Sequence, residues 1–290
     1  MVRVLIIGAG GGLGRAWWDR LARPGASLEP AFPGPVEVVA ALRSELDISE
    51  SSPAIRAIRD IAPHVVLNCA GRTELQYCES APGEAYRVNR DGAEHVAKAC
   101  TELGALSVYF STDLVFDGGK GIPYVEGDPP NPLNVFGESK LAGEVRTLSY
   151  ATRYLIIRSG WLYGQPGRHF LSPFQGPLGR DERIRGLESQ TGQATWIEDF
   201  LEAMLHLIRT GQTGYYHVAG AGAVTQTQVL RRMAELAGRS DVRIEAWGPD
   251  LMPRLPEYTV LDGARLAKTG WKVRSWEEGL EAFMNALSGR

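Results

Sequence analysis

Short β-branched and aliphatic runs recur through the first half of the chain. Each is followed by a stretch whose apolar residues return every three or four positions. Residues 2–7 (VRVLII), 36–42 (VEVVAAL), 65–67 (VVL), 106–110 (LSVYF) and 153–158 (RYLIIR) predict strands buried on both faces. Helical spacing appears over 15–22, after Asp47-Ile48-Ser49-Glu50 with Ser49 as N-cap, over 82–103 and over 134–144. This alternation predicts an α/β fold: a doubly wound parallel sheet with helices on both faces. Proline makes two connections irregular, at Pro24, Pro30, Pro33 and Pro35 and again over 122–132.

Beyond residue 165 the pattern changes. Residues 166–186 are dense in Gly, Pro and Arg and predict a lid or pocket wall. Helical periodicity returns over 197–209, a strand over 215–218 is expected to rejoin the sheet, and Thr225 opens a helix over 225–237. Little regular pattern is visible past Pro249, Pro253 and Pro256 until a closing helix over 276–287. The expected division is a nucleotide-binding sheet domain over 1–165 and a smaller α+β, mainly substrate-binding part over 166–290, with about 190–220 returning to the first domain.

Composition narrows the function classes. The net charge of −3 offers no basic surplus for nucleic acid or an anionic membrane. No apolar run approaches the roughly 20 residues that span a bilayer. Met1-Val2-Arg3 leads straight into a strand without an export signal, so a cytoplasmic protein is expected. Cys69, Cys78 and Cys100 are odd in number and scattered, as reduced thiols would be. Their spacing to His64 and His95 fits no tetrahedral zinc pattern, and no metal is expected.

Candidate chemistry begins at the first strand's end. Gly8-Ala9-Gly10-Gly11-Gly12-Leu13-Gly14 lies between strand and helix, the context in which glycines let the backbone approach a pyrophosphate. After the second strand come Arg43-Ser44 instead of an acidic residue, a cation and hydroxyl suited to a 2′-phosphate, which favours NADP(H) over NAD(H). The third strand ends in Asn68-Cys69-Ala70-Gly71, small residues at the crevice where open parallel sheets hold ligands. At the fourth strand's end the Thr112 hydroxyl is placed to bond a substrate oxygen as charge develops. Phe136 and Lys140, four residues apart, share one helix face.

In this order the motifs resemble the extended short-chain dehydrogenase/reductases, and within them the dTDP-4-dehydrorhamnose reductase family. They comprise GxxGxxG at Gly8, Gly11 and Gly14, RSELDI from Arg43, NCAG with Thr73, VNRDG from Val88 and STDLVFDG from Ser111. FGESKLAGE from Phe136, RSGWLYG from Arg158 and QTGQAT from Gln190 complete the set, which runs along nearly the whole chain. The resemblance implies a Rossmann domain and hydride transfer from NADPH to the C4 ketone of a dTDP-linked 6-deoxy-4-ketohexose. It implies that Gly8, Gly11, Gly12, Leu13 and Gly14 hold the pyrophosphate, that Arg43 and Ser44 lie at the adenosine ribose and that Asp47 and Ile48 lie beside the adenine. Cys69, Ala70 and Gly71 would face the middle of the cofactor, Lys140 its nicotinamide ribose, and Arg72, Thr112, Asp113 and Trp161 the sugar. A homodimer is compatible with it.

The departures are as specific. Where the family carries the tyrosine that protonates the new alcohol, this chain has Phe136, without a proton to give. Arg72 and Gln76 flank the NCAG threonine in place of tyrosine and aspartate, and Leu114 follows Thr112-Asp113 where tyrosine is common. His169-Phe170 stands for Asn-Phe, and Pro173 and Pro177 interrupt a usual helix. Three accounts of Phe136 compete. It is an engineered change; or the protein binds cofactor without turnover, like the related regulatory subunit of methionine adenosyltransferase; or water, Asp113 or Tyr163 supplies the proton. A sugar-nucleotide epimerase or dehydratase fits less well, since those reactions also lean on the missing tyrosine and favour NAD.

Overall fold

The computed structural model describes residues 1–167, 169–172, 183–239, 241–247 and 253–289. The expected helix breaks at Pro173 and Pro177, most of the expected lid, and Pro249 lie outside the described residues.

Five strands alternate with helices: β1 (Val2–Ile7), α1 (Gly12–Leu21), β2 (Val36–Ala41), α2 (Ser51–Ile61), β3 (Val65–Asn68), α3 (Leu75–Ser80), α4 (Pro82–Tyr86), α5 (Gly92–Leu103), β4 (Leu106–Phe110), α6 (Val135–Tyr150) and β5 (Tyr154–Arg158). The sheet is parallel throughout, in the order Gly214–His217, β5, β4, β3, β1, β2. Chain order reverses between β1 and β3, which opens a crevice at the strands' C-terminal ends.

The uniform apolarity of the strands has a simple cause. Val4 and Ile6 of β1 enter a core with Trp17, Phe200 and Met204, while Leu5 and Ile7 enter the opposite core with Ile58, Val96 and Cys100. Successive side chains alternate faces, and both faces are covered. Phe200 and Met204 belong to the helix Ile197–Arg209, and Gly214–His217 pairs with β5 beyond it.

A second core joins Tyr163, Val229, Leu230, Met233, Leu280 and Phe283. It gathers the helix Gln226–Leu236, opened by a capping box between Thr225 and Gln228, and the closing helix Trp276–Leu287. Here the structure adds what the sequence pattern lacked: Arg183–Leu187 and Arg243–Trp247 form a parallel pair, and Ala264–Ala267 a helical turn.

Ser49 is not a helix cap. The helix starts at Ser51 after Glu50, and the Ser49 hydroxyl donates to Asp47 Oδ1 at 2.7 Å within the preceding turn. The expected helix over 82–103 is continuous but contains a π-turn, Arg87–Asp91, which buries Asn89. The 122–132 loop buries one residue, Tyr124, stacked on Phe116 at 4.1 Å.

Candidate active site

The elbow after β1 is tight because two positions have no room for a side chain. Gly8 has φ +76°, and a Cβ there would lie 2.8 Å from the Ala70 nitrogen. A Cβ on Gly14 would lie 2.4 Å from the Gly8 carbonyl oxygen. The first turn of α1 holds no acidic residue, so its positive end is not neutralised from within. Below it lies a crevice of about 580 Å³ lined by Gly8, Gly11, Arg43, Asp47, Ile48, Cys69, Ala70, Gly71 and Arg72. Leu46 and Val88 also line it, although neither residue type carries a signal in sequence.

Gly12 opens α1 against Gln165 and Pro166, and Leu13 turns partly into the core. Arg43 Nε lies 3.2 Å from Asp47 Oδ2 at the crevice rim, and Ser44 is exposed beside it. Partial burial pulls the Asp47 carboxyl upward, but the Ser49 hydroxyl and N–H and the Arg43 guanidinium hold it below the usual range. Backbone elbow, helix end and half-exposed guanidinium fit a dinucleotide carrying an extra phosphate.

The helix α6 approaches the crevice at Gly71. Asn134 caps α6 by accepting the Gly137 N–H at 2.9 Å, while its amide donates to the Arg254 carbonyl at 3.0 Å. Within the first turn, Phe136 packs with Cys78, Ala85 and Leu114. Lys140 is buried with its ammonium 4.2 Å from the Tyr109 ring centroid, and a Cβ added to Gly71 would approach that nitrogen to 3.9 Å. The lysine thus reaches the crevice mouth. Burial lowers its pKa to about 8 against the opposing attraction of Glu144.

Glu144 is fixed in turn: Arg158 grips it at 2.9 and 2.7 Å, and the Ser111 hydroxyl donates to Oε1 at 2.5 Å. Thr112 begins the turn Asp113–Val115, where its Oγ1 accepts the Leu114 N–H at 3.2 Å and lies 3.1 Å from Asp113 Oδ1.

Arg72 lines the crevice while bound to Glu84 at 2.8 Å, with its guanidinium over the Tyr77 ring. Its backbone is stapled by a residue that sequence reading missed as a site residue. Asn89 accepts the Arg72 N–H at 2.8 Å and donates to the Arg72 carbonyl and the Ser139 hydroxyl, each at 2.9 Å. The π-turn aims Asn89 inward, and no periodicity argument anticipates that turn. Trp161 has φ +27°, and its indole packs against Gly192 and Phe170. Tyr163 faces elsewhere: its hydroxyl lies against Gly279 in the second core, where burial pushes the phenol far above its ordinary range.

Residues 2–288 match the family described as RmlD substrate binding domain. The chain belongs to this family. Among its relatives, the dTDP-4-dehydrorhamnose reductase of Streptomyces griseus is 33% identical, the match covering 99% of this chain and 95% of the relative. The dTDP-4-keto-6-deoxy-D-glucose reductase of Streptomyces niveus is also 33% identical, with 97% and 96% covered. The crystal structure of dTDP-4-dehydrorhamnose reductase from Bacillus anthracis, in complex with NADP, superposes with TM-score 0.91 at 30% identity, covering 99% of this chain and all of that one.

Proposed function

We propose that this chain is an NADPH-dependent reductase acting on the C4 ketone of a nucleotide-linked 6-deoxy-4-ketohexose, with the usual phenol acid replaced by Phe136. One observation carries the reading. Lys140 leaves the same helix as Phe136 and brings its ammonium to Gly71 at the crevice mouth, where a nicotinamide ribose would lie. The β1–α1 elbow would hold the pyrophosphate and Arg43 the 2′-phosphate. Bound NADPH supplies the hydride. The chain's own residues then have three tasks. The Asn89 staple holds the Gly71–Arg72 backbone against α6. Lys140 keeps a positive charge beside the developing alkoxide. The Thr112 hydroxyl aligns the ketone oxygen.

The names of the two Streptomyces relatives support a dTDP-linked 4-keto-6-deoxy sugar. In this reading the part after residue 165 mainly forms the sugar pocket, with Trp161 on its wall. The protein works in the cytoplasm, as a single chain or a homodimer that sedimentation would distinguish.

The regulatory reading, cofactor binding without turnover, draws on Phe136 sitting in an apolar cluster. One assay separates the two. Incubation with C4-deuterated NADPH and dTDP-4-keto-6-deoxyhexose should place deuterium on the sugar C4. Tight NADPH binding with no label transferred, even by large amounts of protein, would sink the reductase reading.

A further inference from the structure

A reductase without its phenol still needs a proton for the new alcohol. Asp113 is 3% exposed, in the turn that follows β4, with its N–H donating to the Ser159 carbonyl at 3.0 Å. Oδ1 lies 3.1 Å from Thr112 Oγ1. Oδ2 has no partner in hydrogen-bond geometry among the described residues. It is wedged against Gly160, where an added Cβ would come within 2.9 Å, and near the Thr259 hydroxyl. A carboxyl buried without a cation is driven toward its neutral form. Burial pushes this one up to about 6, with the Thr259 and Thr112 hydroxyls tempering the rise.

The neutral form has a geometric consequence. A threonine oxygen has two acceptor positions and one hydrogen. Thr112 Oγ1 already accepts the Leu114 N–H at 3.2 Å. A protonated Asp113 donating across the 3.1 Å contact fills the second acceptor position. The Thr112 hydrogen is then free for the site, where the ketone oxygen is expected.

We propose that Asp113 is the proton source that replaces the missing phenol, delivering through the Thr112 hydroxyl. This rests on the reductase reading above. As the ketone carbon receives the hydride with its electron pair, NADPH becomes NADP⁺ and the C=O π pair moves onto oxygen. The Thr112 O–H bond breaks and the new alcohol O–H forms. The Asp113 carboxyl O–H breaks and restores the Thr112 hydroxyl, leaving a carboxylate that water reprotonates after release.

The test is Asp113→Asn in two backgrounds, the native chain and Phe136→Tyr, read as kcat for NADPH oxidation with dTDP-4-keto-6-deoxyhexose. In the native chain the loss should be about 100-fold, and in the Phe136→Tyr background less than about tenfold, because the phenol offers a second donor. Equal losses in both backgrounds overturn the relay. If Asp113→Asn fails to fold, the infrared titration of the native chain alone decides. Infrared titration of the chain without substrate gives an independent readout. A carboxylic-acid C=O band that grows as pH falls through 6 and is missing from Asp113→Asn supports the proposal; its absence from the native chain overturns it. NADPH oxidation by neither the native chain nor Phe136→Tyr removes the reductase reading and the relay with it. That result is distinct from turnover that persists with equal losses.

Discussion

Replacing Lys140 by methionine should stabilise the fold while crippling the site. The displacement of its pKa from 10.5 to about 8 amounts to about 3 kcal/mol against keeping the ammonium charged in the interior. Methionine fills similar space without that burden. The lost contact with the Tyr109 ring returns roughly 0.5–2 kcal/mol, so the net gain at neutral pH should be about 1–3 kcal/mol. At roughly 2–4 °C per kcal/mol for a large domain, the melting midpoint rises by several degrees. The pH dependence has a definite sign. The folded chain releases the Lys140 proton near pH 8 and the unfolded chain only near 10.5, so the unfolded chain holds more protons between the two. Parent stability therefore climbs through that window, and the variant's advantage is full below pH 8 and gone above 10.5. Denaturant melts of both proteins across that range, alongside NADPH oxidation rates, are the assay. A variant less stable than its parent at pH 7, or an advantage that does not change with pH, would refute the reasoning.

Other perturbations separate binding from stability. Arg43→Gln should weaken NADPH by about 10–100-fold and NADH hardly at all, by calorimetry, because only one cofactor carries the phosphate this guanidinium would grip. Gly14→Ala forces a methyl onto the Gly8 carbonyl and should cost about 1–3 kcal/mol in denaturant melts along with most NADPH affinity. Glu144→Gln leaves the Arg158 guanidinium buried with a neutral partner and should cost about 3–5 kcal/mol in the same melts. Asp113→Asn should gain stability relative to its parent as pH rises from 3.8 through about 6. The unfolded carboxyl ionises before the folded one, so the parent loses stability through that window, by up to about 3 kcal/mol once pH exceeds about 6.

The strands could be read from sequence because a sheet covered on both faces leaves an unbroken apolar run, as in Val2–Ile7. The glycine elbow was legible because no larger residue fits at Gly8 or Gly14. Two kinds of feature were not. Arg183–Leu187 and Arg243–Trp247 pair across distant sequence, and nothing local in two Arg-containing segments announces a partner. Asn89 owes its role to a single widened turn in an otherwise helical run, and Ser49 reads as a cap until Asp47 is seen to claim its hydroxyl. Asp113 was legible as a candidate from its place after β4, and the structure adds that its buried Oδ2 has no hydrogen-bond partner among the described residues.

The central claim is a reductase site complete except for one phenolic oxygen. Stopped-flow loss of NADPH absorbance with dTDP-4-keto-6-deoxyhexose, for the native chain and for Phe136→Tyr, tests it most directly. The account predicts slow oxidation by the native chain and a rise of about 100-fold or more in the variant. Unchanged rates in the variant, or no oxidation by either protein despite bound NADPH, would contradict it.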